Sequence, residues 1–122
     1  MKKLYKRITS GASTTKLKNA KTISMSSLQE FEASLTSNQP PKGISVYLQS
    51  LWYDAKGDWN NAHNLVDDLS DKTGFRIHAY LHRVEGDKWN ANYWYTKAGE
   101  PMPDVSLKEE WTLLVNRLLA QE

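Results

Sequence analysis

Gly57-Asp58-Trp59-Asn60-Asn61-Ala62 and, 29 positions later, Gly86-Asp87-Lys88-Trp89-Asn90-Ala91 share one string, Gly-Asp-x-x-Asn-Ala. Glycine accepts the left-handed backbone that ends a helix. The aspartate that follows accepts the free N–H groups of the next helical turn. Alanine four residues later lets the second helix approach the first closely. Each copy therefore reads as helix, tight turn, helix, and residues 44–99 read as two copies of one unit. The flanks agree in character: Ser50 and Ala79 are small, Tyr53 and His82 carry rings, Leu69 and Ala98 are apolar.

The pattern extends in both directions. One helix is predicted from Ser45 to Lys56, with Leu48, Leu51, Trp52 and Ala55 on one stripe. A second follows the Asp58 cap to about Ser70, burying Trp59, Ala62, Val66 and Leu69. Asp71-Lys72-Thr73-Gly74 reads as a turn, after which Phe75 to Glu85 resumes the helical period through Ile77, Leu81 and Val84. The helix after Asp87 ends at Gly99. Before the duplicated unit, Ser27 to Thr36 reads as a short helix, cut off by Asn38-Gln39-Pro40-Pro41-Lys42-Gly43. After it, Glu100-Pro101-Met102-Pro103-Asp104 is a rigid connector. Ser106 and Glu109 then form a capping box for a last helix that buries Trp111, Leu114, Val115, Leu118 and Leu119. Nothing alternates at period two for long. The predicted fold is all-α, a short helical-hairpin repeat with flanking N- and C-terminal helices, in a single domain over residues 25–122.

Composition bounds the function. The chain has no cysteine, which excludes disulfides and thiolate metal sites and fits a reducing compartment. No apolar run approaches the roughly 20 residues of a membrane span. Residues 1–24 hold Lys2, Lys3, Lys6, Arg7, Lys16, Lys18 and Lys21 and no acid. Sixteen bases less those seven leave nine against fourteen acids in residues 25–122, a net charge of −5. Such a domain does not attract phosphate backbones, so nucleic-acid binding through the core is not expected. Three readings suit the basic first segment: a disordered tail, an organellar transit peptide, or translation starting at Met25. The expected location is cytoplasmic, or organellar on the second of these readings.

Gly86-Asp87, Ala91, Tyr95 and Ala98, with Ala79 upstream, resemble a tetratricopeptide-repeat hairpin, and Gly57-Asp58, Ala62, Leu69 and Ser50 resemble a weaker copy. The period of 29 is shorter than the usual 34, and two units are fewer than such stacks need, so the flanking helices would act as caps. Leu51-Trp52-Tyr53-Asp54-Ala55-Lys56-Gly57-Asp58-Trp59, with Ala62-His63, resembles a family of small uncharacterised bacterial proteins. So do His78-Ala79-Tyr80-Leu81-His82-Arg83, Glu85-Gly86-Asp87 and Asn90-Ala91-Asn92-Tyr93-Trp94-Tyr95. That resemblance covers about residues 26–120 and carries no established function.

Three groups of side chains are candidates for function. His78 and His82 stand at i, i+4 on one helix, Glu85 continues that face, and a hairpin brings His63 alongside. Three imidazoles suit zinc or another divalent metal, or pack between helices with local hydrogen bonds. Asp54, Lys56, Asp58, Arg83, Glu85 and Asp87 gather about the two Gly-Asp turns and are expected to form one ion-pair edge or a polar patch. Among the rings, Tyr93-Trp94-Tyr95 cannot all face one core, because consecutive helix positions differ by about 100°. With Trp52 these rings fill the structure or anchor a partner. The leading expectation is a non-catalytic helical-repeat binding module for a protein segment or small polar ligand, with no cofactor. Its surface would draw on His63, His78, His82, Arg83, Glu85, Trp52, Asp54, Lys56, Tyr93 and Trp94. The alternatives are a histidine-centred metal-dependent protein or enzyme, and a structural subunit that dimerises. Histidines converging within metal-ligand distance would favour the metal reading.

Overall fold

The computed structural model describes residues 27–121, so the readings made of residues 1–24 and of Met25 lie outside it. The chain runs through α1 (Leu28–Ala33), a 3-10 turn (Ser34–Thr36), α2 (Val46–Ala55), α3 (Trp59–Val66), α4 (Lys72–Val84), α5 (Lys88–Ala98) and α6 (Leu107–Gln121). Among the described residues every regular element is helical. None of these helices is long and apolar enough to cross a membrane.

The helix starts follow from local chemistry. Ser27, Ser45, Asp58, Asp71 and Asp87 each accept the backbone N–H three residues on. At α6 the box is reciprocal: Glu109 N–H donates to Ser106 Oγ and Ser106 N–H donates to Glu109 Oε1. The two Gly-Asp turns match bond for bond. Gly57 and Gly86 sit at φ +83° and +87°. Asp58 N–H donates to Tyr53 O, and Asp87 N–H to His82 O, each at 2.9 Å. The shared asparagine has a role as well: Asn61 Nδ2 and Asn90 Nδ2 each donate to the other carboxylate oxygen of the capping aspartate, at 2.7 Å.

The segment between the hairpins departs from the sequence expectation. Asp71-Lys72-Thr73-Gly74 is the cap and first turn of α4 rather than a separate turn, and α3 ends at Val66 rather than near Ser70. The reason is packing. Leu69 leaves the helix to lie against Gly74, where a Cβ would stand 2.7 Å from Leu69 Cβ. Glycine serves here for close approach, not for turn formation.

α4 is the central element. Residues Arg76 to Leu81 are all buried, so this helix is covered on every side. Its apolar positions Ile77, Tyr80 and Leu81 join one core with Phe31, Leu48, Leu51, Trp52, Val66, Trp111, Leu114, Val115 and Leu118. Ala79 meets Ala91 and Tyr95, and the two small alanines let α5 lie close against α4. Ser50 Oγ donates to Ala62 O at 2.8 Å and joins α2 to α3. Trp111 Nε1 donates to Leu51 O at 2.9 Å and joins α6 to α2.

A buried polar knot ties α4, α5 and α6 together. Glu110, with no exposed surface, accepts from Arg76 Nη1 and Tyr95 Oη, each at 2.6 Å, and from Arg83 Nη1. Arg83 also donates to Val105 O, and Arg76 Nε donates to Glu100. Burial, the hydrogen bond to Glu110 and its charge all push the Tyr95 hydroxyl up, so it remains a donor.

Candidate functional site

α3 and α4 run side by side after the hairpin, and this brings the histidines together. His63 lies on α3; His78 and His82 lie one turn apart on α4. One ring nitrogen of each lies within 4.8 Å of those of the other two. His63 Nε2 and His78 Nε2 are 3.0 Å apart. At that distance one ring donates and the other accepts, so one of the two nitrogens is unprotonated and its lone pair holds the shared proton.

Rings build the walls. Trp59, one turn before His63, stacks on it with centroids 4.7 Å apart and planes within 12°. Trp59 is itself pinned by Nε1 donating to Leu81 O at 2.7 Å. His78 lies between Trp94 of α5, stacked at 4.0 Å, and His82, stacked at 4.9 Å. His78 is 3% exposed, while the His63 and His82 side chains are 20% and 12% exposed. The cluster thus has a sealed floor at His78 and an opening on the His63 side.

Carboxylates orient the outer rings. His82 Nδ1 stands 2.7 Å from Glu85 Oε2. An ionised carboxylate only accepts, so Nδ1 carries the proton and Nε2 of the neutral ring is left with its lone pair. Asp67 Oδ1 lies 3.9 Å from His63 Nε2. His78 Nδ1 is buried with no hydrogen-bond partner. The group is one polar partner short, at a cost of about 1–3 kcal/mol for such an atom.

Burial pushes the His78 imidazole from 6.5 down to about 4, with repulsion from His63 and His82 adding to it and Asp67 opposing. The unfolded chain therefore binds the extra proton first. In metal-free protein this contribution to stability is complete above pH 6.5 and is lost as the pH falls toward 4, by about 3 kcal/mol. Urea denaturation between those pH values should show the loss, and His78→Gln should remove that part of the slope.

The other expected site residues scatter. Trp52 is a core residue, 1% exposed. Lys56 reaches back to cap the segment after α1, donating to Leu35 O and Ser37 O. Arg83 turns into the Glu110 knot. Asp54 accepts from the Tyr80 hydroxyl, Asp58 and Asp87 cap helices, and Glu85 serves His82. Among the described residues no two of these six charged side chains form an ion pair with each other, so the expected ion-pair edge is absent: each carboxylate and cation has a partner at its own helix or across to the 3-10 turn region, α4 or α6. The three consecutive rings of α5 split as their helical positions require. Tyr95 is buried, Trp94 covers His78, and Tyr93 is 48% exposed.

Trp59 and Asp67 belong to the cluster and were not among the expected site residues. Their spacing of four from His63, one on each side, is the signal that would have found them. Comparison with known protein families, curated proteins and solved structures finds no match for this chain.

Proposed function

We propose that this protein binds a divalent transition metal, zinc fitting best, through His63, His78 and His82. The observation that carries the reading is the convergence of three imidazole nitrogens within 4.8 Å, drawn from two helices. Two nitrogens on a tetrahedral zinc with bonds of about 2.0–2.1 Å stand about 3.3 Å apart. The His63–His78 separation of 3.0 Å is close to that span, so a turn of the two rings away from each other, toward a common point, would seat a metal in place of the shared proton. Glu85 on His82 Nδ1 is the carboxylate that metal-binding histidines commonly use to fix their tautomer.

Three protein ligands leave a fourth position for water or another small ligand. His63 is the most exposed of the three rings, which supports reading its side of the cluster as the one open to such a ligand. Zinc held by these three residues would supply Lewis-acid chemistry, and the Asp67 carboxylate, 3.9 Å from His63 Nε2, lines the same part of the cluster.

Zinc should raise the melting temperature of the full chain, because ligand bound only by the folded state stabilises it by mass action, about 2.7 kcal/mol at a hundredfold excess over Kd. No shift at millimolar zinc would dispose of the reading.

A second role as a helical-repeat binding module draws on a different observation. Trp89 and Tyr93 on α5 are 76% and 48% exposed and lie parallel, 6.4 Å apart. Exposed rings of this kind are common anchors for a protein segment or a second subunit. The matching turn chemistry of the two hairpins supports reading them as a duplicated, tetratricopeptide-like unit.

A further inference from the structure

On the far side of α4 from Ala79 and α5, a groove of about 280 Å³ lies between the end of α2, the end of α4 and the start of α6. Its walls are apolar: Ala55, Val84, Leu107 and Trp111. Leu107, the first residue of α6, remains 38% exposed. Into these walls the fold sets a carboxyl group. The Asp54 carboxyl accepts from the Tyr80 hydroxyl at 2.7 Å, and among the described residues no other group hydrogen-bonds to that carboxyl.

Asp54 is in a costly place. It stands in the last turn of α2, where the helix dipole disfavours a negative charge, and it is half-buried. Desolvation pushes its carboxyl up, and the Tyr80 hydrogen bond offsets only part of that. Tyr80 cannot relieve it by taking over the proton balance, because burial and the facing carboxyl raise its hydroxyl as well. A polar group that breaks local preference inside an apolar groove, with acceptor positions left over, is the usual mark of a ligand-orienting residue.

We propose that this groove binds a small primary amine with a flat apolar body. The ammonium would sit on Asp54, and the body would lie against Trp111, Val84 and Leu107. The carboxylate selects the positive charge and repels acids, and the Tyr80 hydroxyl holds it in place as a permanent donor. The volume sits at the low end of the range for small-molecule sites and fits a ligand of phenethylamine size. Lys108 also lines the groove. This exposed residue opposes any cation there, a dication more than a monoamine, so the ammonium must rest against Asp54.

The test is calorimetric titration of the full chain with phenethylamine, 3-phenylpropionate and phenylalanine. Phenethylamine should bind at micromolar to millimolar concentration, and the acid of matching shape should bind at least about tenfold more weakly. Asp54→Asn keeps an acceptor for Tyr80 and removes the charge. It should lose phenethylamine binding by a similar factor while its melting curve stays cooperative. Equal binding of amine and acid, tighter binding of phenylalanine than of the amine, or no heat from phenethylamine would each overturn the proposal. The comparison of amine with acid in the unaltered protein decides the matter even if Asp54→Asn fails to fold.

Discussion

Glu110→Ala is expected to destabilise the protein by about 3–5 kcal/mol, the range for breaking a fully buried charge network by removing one member. The substitution strands two guanidinium groups, of Arg76 and Arg83, and the Tyr95 hydroxyl, all of which point at one carboxylate with no exposed surface. Arg76 keeps Glu100, and Arg83 keeps Val105 O, so neither is left bare. The loss nevertheless removes the point where α4, α5 and α6 meet. A domain of this size has about 5–15 kcal/mol in total, so the variant should unfold at a much lower urea concentration. Salt should change the effect little, because no solvent reaches the carboxylate to screen it. A loss under about 1 kcal/mol, typical of exposed ion pairs, would show that the knot is solvated after all.

The second large effect is on metal affinity. His78→Ala is expected to weaken zinc binding by more than about a hundredfold, because even outer partners of metal ligands typically matter about 10–100-fold. Glu85→Gln touches no metal directly. It takes the anionic acceptor from His82 Nδ1 and should cost within that smaller range. Competition with a coloured zinc chelator measures both. The ordering separates the site from mere packing: His78→Ala also opens a cavity beside Trp94, but a cavity alone would leave the Glu85→Gln effect unexplained. Equal affinities for the three proteins would end the metal reading.

How much of this was legible in the sequence depends on how local each feature is. The Gly-Asp turns, the caps and the Pro-Pro break are set within four or five residues, and they stand where the sequence puts them. The first turn of α4 was misread because Asp-x-x-Gly is written the same way for a turn and for a capped helix start. What decides between them is Leu69 pressing on Gly74 from outside the string. The His78–His82 pair is a spacing of four and is visible at once, and His63 joins it through the short hairpin. The fate of Arg83 is not visible. Its partner Glu110 is 27 residues away, across a connector whose path only the docking of α6 determines. Trp52 is likewise buried, donating to Ser34 of the 3-10 turn, and the exposed Lys56 is tied to Leu35 O and Ser37 O, contacts 18 to 21 residues away that their sequence neighbours do not reveal. Short-range grammar predicted most of the elements and the heart of the histidine cluster, and long-range packing decided which charges were free to serve a site.

X-ray absorption at the zinc edge, on the full chain loaded with one equivalent of zinc, tests the central claim most directly. The account predicts three imidazole nitrogens at about 2.0–2.1 Å with one further light ligand, and one imidazole fewer in His63→Ala. A shell of oxygen atoms alone, or an unchanged spectrum when His63, His78 and His82 are all replaced by alanine, would contradict it.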